Sequence, residues 1–290
     1  MRQRRDAAGN VLVTLFLWGG AAVIALPFLW MLSTSLKGPG DIYVFPPRWI
    51  PHPPHWENYT GMWHAFEVRT RLFGVIPVNA GLLVALVNSL VVAVSVTLGQ
   101  LLTCSMAGYA FARLRFPGRD RLFLVYLATL MIPGQVLMIP IFVLLRSMGW
   151  LDSYRALIVP ALTSAYGTFL LRQFFLGVPR ALLDAATLDG ASAWGVYRHV
   201  ALPLARPALA TLTILTFLAS WNDFMWPLIV INSPSKMTLP LMLNLFRGLY
   251  STQWTTLMPA AVMVLAPVVI VYLINQRFIT RGFVMSGLKG

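Results

Sequence analysis

Charge is what this chain lacks most. Only 11% of its residues are charged and 58% are hydrophobic, whereas a soluble domain carries about 25% charged residues. That composition excludes an ordinary water-facing globule and points to apolar solvent over most of the surface. A single cysteine, Cys104, excludes an intrachain disulfide; inside an apolar run it reads as a small buried hydrophobe. Lysine is scarce, and neither Ser nor Thr follows Lys37, Lys236 or Lys289. The chain therefore has no phosphate loop with which to hydrolyse ATP. Its apolar runs hold no His-Glu-x-x-His pattern, Cys–His pair or carboxylate pair, so a membrane-embedded enzyme has no cluster to work with. His52, His55 and His64 lie in one loop, and the prolines between the first two spoil helical metal-ligand spacing.

What the chain does have is apolar length. A spanning helix needs about 20 mostly apolar residues, and six runs qualify: Val11–Leu36, Gly81–Ala112, Arg121–Leu145, Ala156–Leu176, Pro207–Ile231 and Thr255–Phe278. The first is too long for a signal-peptide core and has no small-residue cleavage site behind it, so it reads as retained. The expected fold is all-α, a polytopic bundle of six spanning helices. One membrane domain covers 1–290, with a core at 81–280, a long loop at 37–80 and a shorter one at 178–207.

The formal charge of +13 does not imply nucleic acid, because the basic residues form short clusters between apolar runs rather than a recognisable binding module. The positive-inside rule accounts for them. One side of the six runs collects 14 Lys and Arg residues, among them Arg2, Arg113, Arg115, Arg180 and Arg281; the other collects 8. Both termini are expected in the cytoplasm of a multi-pass protein of the cytoplasmic (inner) membrane. Loop 37–80, punctuated by Pro46-Pro47, Pro51 and Pro53-Pro54 with Trp49, Trp56 and Trp63, is then external, extended or turning, and packed on the lipid surface. Arg113–Arg121 is a tight cytoplasmic turn bent at Pro117-Gly118.

The loop from Pro179 to Pro207 reads as a hairpin of two short helices. Pro179 suits a first helical turn, and Ala181–Leu188 are good helix formers. Leu182, Ala185, Ala186 and Leu188 or Asp189 fall near helical spacing and offer a small apolar face. Gly190 can take the positive φ that breaks the run. A second helix is expected from Ser192 to about Val200, ended by Pro203. From the residues alone, this hairpin either docks a partner or lies idle on lipid headgroups.

Asp184-Ala185-Ala186, three residues, Gly190, nine residues, then Val200-Ala201-Leu202-Pro203 resembles the EAA loop of ABC importer permeases at every spacing. Asp184 replaces the usual Glu and Val200 the usual Ile. Asn88-Ser89, Arg113–Asp120, Met131-Ile132-Pro133, Leu171–Phe175 and Trp221–Phe224 are similar to the carbohydrate branch of that family, and Gly287–Gly290 to the tail of its maltose-type second subunit.

This resemblance implies the type I importer permease fold and a solute that is a carbohydrate or related polyol. It implies a second permease subunit, a dimer of ATP-binding-cassette ATPases carrying ATP and Mg, an extracytoplasmic solute-binding protein and surrounding lipid. The chain itself would bind no cofactor. Asp184, Ala185, Ala186, Asp189, Gly190, Val200, Leu202 and Pro203 would form the ATPase-coupling loop. Ser286, Gly287, Leu288, Lys289 and Gly290 would form a tail reaching the ATPase, the bland reading being a frayed end.

Asp223, two-thirds along the fifth run beside Trp221, Asn222 and Trp226, is a solute-path candidate, because a buried charge in a span must face water or the bundle interior. An interhelical hydrogen bond with an interfacial tryptophan pair explains the same residues. Gln135, Asn88 and Asn244 are weaker candidates, better suited to joining helices. An ion-coupled secondary transporter is the competing class, and it would need a charged partner for Asp223 that the spans do not offer.

Overall fold

The computed structural model of this chain describes residues 2–65, 69–72, 76–79, 81–246 and 252–286. These group into two compact units, one of residues 1–67 and 243–265, the other of 68–242 and 266–290.

The first unit holds helix α1 (Arg2–Ser35) and α2 (Glu57–His64). Loop 37–65 folds back on the end of α1. Asn58 donates from its side-chain amide to the carbonyls of Ser35 (3.0 Å) and Lys37 (2.9 Å), and the Tyr59 hydroxyl meets Ser35 Oγ at 2.8 Å. The Lys37 ammonium sits over the Trp30 ring, 3.8 Å from its centroid, a cation–π contact that offsets its near-complete burial.

The second unit opens with an antiparallel hairpin, β1 (Arg69–Leu72) and β2 (Ile76–Asn79), in which Arg69 pairs with Asn79. It is the one sheet among the described residues of an otherwise helical fold. Helix α3 (Gly81–Arg113) follows, then α4 (Arg119–Ala128), α5 (Gly134–Ser147), α6 (Tyr154–Ile158), α7 (Ala165–Gly177), α8 (Arg180–Leu188) and α9 (Ala193–Val196). After a π-helical turn come α10 (Leu202–Leu204), α11 (Arg206–Trp221) and α12 (Met225–Val230). Two helices whose residues are shared between the units, α13 (Leu239–Asn244) and α14 (Trp254–Ser286), complete the chain.

The apolar runs do not all become straight helices. Val13–Ser35, Gly81–Arg113 and Trp254–Gln276 are continuous and long enough to cross a bilayer, whereas the third run bends by 98° between Met131 and Gly134. Pro133 is the reason: the residue before a proline is driven out of the helical region, and Ile132 is extended, at φ −87° and ψ 116°. The fourth run is divided among α6, a 3-10 turn through Pro160 and α7, which restarts when Ser164 Oγ accepts from the Gly167 N–H at 3.2 Å. The fifth stops at Trp221 and resumes at Met225. By length and composition, the described helices make three spans, or five if each of two bent pairs crosses once, against the six expected.

Two close approaches set the packing of α3, α7 and α11. A Cβ on Gly108 would lie 3.0 Å from the Arg172 backbone nitrogen and 3.1 Å from the Thr168 carbonyl. One on Gly167 would lie 3.0 Å from both Cys104 Sγ and Leu212. Small residues of this kind let helix backbones meet where water cannot drive association. The seam leads to a core in which Cys104, Leu171, Phe175 and Leu212 are buried.

At the opposite end Asp152 acts as a clasp. It adopts φ +52°, a conformation Asp tolerates better than most residues. Its carboxylate accepts from the N–H groups of Asn232 (3.1 Å) and Ser233 (2.9 Å) and pairs with Lys236 Nζ at 3.3 Å. Asn88, fully buried, extends the clasp: it donates to the carbonyls of Ser235 (3.0 Å) and Met237 (2.8 Å) and accepts from the Tyr154 hydroxyl. Asn88 is thus fully employed in joining elements.

Gly108→Val should lower the yield of folded protein severalfold, because the added branch meets backbone rather than a movable side chain; overpacking of this sort costs about 1–3 kcal/mol or more. Monodispersity in detergent measures it, and wild-type behaviour would refute the close-approach argument. For Asp152, burial opposes the charge, but hydrogen bonds from Ser233, Asn232 and Lys236 outweigh it and hold the carboxyl at about 2. A depressed carboxyl pKa stabilises above the unfolded value of about 3.9 and loses that contribution as pH falls. Asp152→Asn should therefore lose on the order of 1–2 kcal/mol at neutral pH, discounted for partial exposure. Thermal unfolding should show the gap from wild type closing between about pH 4 and pH 2; a gap independent of pH would reject it.

Candidate functional site

The 178–207 loop forms the expected hairpin. Gly190 ends α8 at φ +88°. Its N–H donates to the Thr187 carbonyl at 3.0 Å and the Ala191 N–H to the Ala186 carbonyl at 3.0 Å, the paired bonds of a glycine-terminated helix. Ser192 caps α9, its hydroxyl oxygen accepting from the Gly195 N–H at 3.1 Å.

Pro203 does not end the second helix, contrary to the expectation from sequence. The backbone widens into a π turn over Tyr197–Ala201, in which the Leu202 N–H reaches the Tyr197 carbonyl, and helix continues to Leu204. A proline ring clashes with the carbonyl four residues before it and supplies no N–H; the wider turn accommodates both. The helix breaks two residues later, at Ala205, and meets α11 at 75°.

The predicted coupling residues separate into two sets. Ala186, Val200 and Leu202 turn inward and pack on the core with buried Leu183, Val196 and Tyr197. Asp184, Ala185, Asp189, Gly190 and Pro203 are exposed. Beside them stand Leu182, 47% exposed, and Leu188, 88% exposed, an apolar face left open among the described residues. Ala186 was expected on that face, and the helical turn carries it to the other side.

Two polar contacts fasten the hairpin's seat. The Ser105 and Tyr197 hydroxyls meet at 2.8 Å, buried. The Arg113 guanidinium donates to the carbonyls of Phe175 (2.9 Å), Leu176 (3.2 Å) and Val178. A cation there satisfies the orphan carbonyls at the end of α7 and favours its negative dipole end. Ser105 and Tyr197 were missed in sequence, where nothing marks two hydroxyls 92 residues apart as partners.

The solute-path candidates do not all converge. A cavity of about 480 Å³ is lined by Asp223 and Trp226, with Gln100, Ser164, Thr216 and Ser220 among its polar neighbours. Trp221 is buried and stacks on Phe217 at 5.6 Å rather than on Trp226. The Asn222 side chain donates to the Leu218 carbonyl at 2.9 Å, and Gln135 lies outside the cavity lining. Asp223 Oδ1 accepts from the Trp226 N–H at 3.3 Å and so also caps α12. The sequence carries a sign of this wall: Thr216, Ser220 and Asp223 stand four and three residues apart, a helical spacing of polar groups, although α11 ends before Asp223. Of the tail, Ser286 is the last residue of α14, and Gly287–Gly290 lie outside the described residues.

The hairpin and the polar cavity sit in a chain with many relatives among known proteins. Residues 100–283 match the family described as the binding-protein-dependent transport system inner membrane component. The chain belongs to this family. It is a multi-pass permease subunit of an ABC importer, and the resemblance seen in the hairpin spacing holds across the domain.

The permease is 38% identical over 203 residues to an arabinooligosaccharide transport permease of Halalkalibacterium halodurans, covering 70% of this chain and 73% of the relative. It is 33% identical over 273 residues to the sn-glycerol-3-phosphate transport permease of Yersinia pestis, covering 92% and 93%. A crystal structure of a bacterial ABC transporter involved in import of the acidic polysaccharide alginate includes a chain that superposes with a TM-score of 0.78. The two are 22% identical, and the match covers 94% of this chain and 97% of that one, so the fold is shared.

The cavity wall yields a test that separates capping from chemistry. Asp223→Asn keeps an oxygen to cap α12 and should assemble normally; Asp223→Ala removes it and should lower stability by about 1 kcal/mol. If the carboxylate also serves the solute, uptake by the Asn variant should fall at least about tenfold, roughly 1.4 kcal/mol, with assembly intact. Unchanged uptake would leave Asp223 a cap alone.

Proposed function

We propose that this permease conducts a neutral carbohydrate or polyol and is driven by an ATP-binding-cassette ATPase gripping the Gly190 hairpin. The observation that carries the reading is the division of the hairpin into an anchored side and a bare one. Leu182, Ala185 and Leu188 face outward around Gly190, where an added Cβ would meet open space. Leu183, Ala186, Val196 and Tyr197 meanwhile hold the same hairpin in the α3–α7–α11 core. A partner closing on the bare side therefore displaces a rigid lever rather than a loop.

ATP and Mg belong to that partner, since this chain has no phosphate loop. Asp184 and Asp189 are polar contacts at the edge of the docking face, and Ala185 and Gly190 are its close-approach surface. Ser286–Gly290 are the tail that contacts the ATPase. The excess of Lys and Arg on the hairpin side supports cytoplasmic termini. A second permease subunit completes the path, and an extracytoplasmic binding protein delivers solute to its far end.

The solute class follows from the cavity. An indole ring beside hydroxyl, amide and carboxylate groups suits a sugar, whose C–H faces stack and whose hydroxyls need both donors and acceptors. Among the described residues no Lys or Arg lines the cavity, which favours a neutral solute over a phosphorylated one. The relatives named for arabinooligosaccharides and for glycerol phosphate frame the choice between these. An ion-coupled carrier is not favoured: among the described residues no cation is paired with Asp223.

Gly190→Asp should uncouple the importer. Among the described residues an added Cβ meets no atom within 4 Å, so the local penalty is the left-handed backbone, on the order of 1–2 kcal/mol, and the folded permease should survive. Solute uptake in proteoliposomes should drop at least about tenfold while ATPase activity of the complex persists. Wild-type uptake would overturn the docking assignment.

A further inference from the structure

Beside the hairpin's proposed docking face lies a second surface, which meets that face at Asp184. An apolar groove of about 310 Å³ runs between the end of α3 and the start of α9, lined by Met106, Tyr109, Ala110, Leu114 and Trp194. Trp194 is 54% exposed and Leu114 39%. Tyr109, Leu114 and Ala193 also line an adjoining cavity that contains Arg115, Arg119 and Arg180. Those three arginines in turn line a wider basin with Arg121. Apolar groove and basic basin are thus one continuous surface.

The charge of the basin is poorly matched from within. Five arginines border it, and two carboxylates, Asp120 and Asp184, stand against them. Arg113 is committed to the end of α7, and Arg119 to Asp120 (3.0 Å) and the Leu114 carbonyl (3.3 Å). Asp120 is further engaged by Arg172 at 3.7 Å. Arg115, Arg121 and Arg180 have no hydrogen bond or ion pair to another described residue, and Arg180 repels Arg113. Clustered unpaired guanidiniums ask for an anion with several acceptor oxygens.

We infer that this surface binds a phospholipid with a net negative headgroup, its phosphate among Arg115, Arg121 and Arg180 and part of one acyl chain along Met106 and Leu114. A free phosphate would have no use for the groove, and a neutral lipid none for the basin. The location agrees: the positive side of a membrane protein faces a leaflet rich in anionic lipid, and Trp194 is a residue type suited to the headgroup level. Bound there, the lipid touches α9 of the coupling hairpin and the end of α3 together, and so steadies the lever at its pivot.

The test uses the whole detergent-solubilised importer, mixed with equal amounts of phosphatidylglycerol and phosphatidylcholine and weighed by native mass spectrometry. Wild type should retain phosphatidylglycerol over phosphatidylcholine. The double variant Arg115→Gln/Arg180→Gln should retain about thirtyfold less, from roughly 1 kcal/mol for each of the two basic residues removed near the surface, while Arg115→Lys/Arg180→Lys keeps most of it. Equal retention of the two lipids by wild type overturns the proposal without reference to any variant. So does undiminished retention by the Gln variant, or displacement of the lipid by excess inorganic phosphate, which would indicate a phosphate-only site. Absence of bound lipid from every form, as expected if a protein partner covers this face, overturns it as well. Lipid retention is read without transport, so its failure leaves the importer assignment standing.

Discussion

The close approach of two backbones at Gly108 is the constraint on which the 178–207 hairpin depends. With no water to drive helices together inside a bilayer, contact depends on how closely their surfaces fit. At Gly108 a single Cβ would already press on the backbone of α7. Because α3 and α7 meet so closely, the Arg113 guanidinium at the end of one reaches the terminal carbonyls of the other. That clamp positions Pro179 and the start of α8 on a rigid base.

From this base the hairpin gains its mechanical character. Leu183, Val196, Tyr197 and Ala201 are buried in the same core as Cys104, Phe175 and Leu212. Tyr109 stands between Phe175 and Tyr197, with ring centroids 5.5 and 5.2 Å away, so aromatic contact runs without a gap from α7 through α3 to the hairpin. Close-packed interiors transmit displacement instead of absorbing it. The bent spans have a complementary role: breaks at Ile132-Pro133 and at Asn222–Phe224 interrupt the helices, and the second places Asp223 on a cavity wall.

Much of this was legible in the residues because it rests on local chemistry. Apolar length marked every run, Gly190 marked the turn, and the spacing from Asp184 to Pro203 marked the family. Pro203 misled, since a proline can be absorbed by widening one turn as well as by ending the helix. The hairpin's faces were only half read: helical spacing placed Ala186 with Leu182, and only packing reveals which side of a helix finds a core. Trp221 and Trp226, neighbours along the chain, diverge because a helix break lies between them.

Composition and spacing by themselves determined a multi-pass helical membrane protein carrying the loop of an importer permease. Those properties arise from transfer free energies and backbone preferences, which act residue by residue. Tertiary structure decided which motif residues anchor and which present, where the long runs break, and which polar groups share a cavity. Such outcomes depend on partners 62 to 150 residues away in sequence, as with Arg113 and Phe175 or Ser89 and Leu239, and no local pattern encodes a contact whose other half is set by the fold.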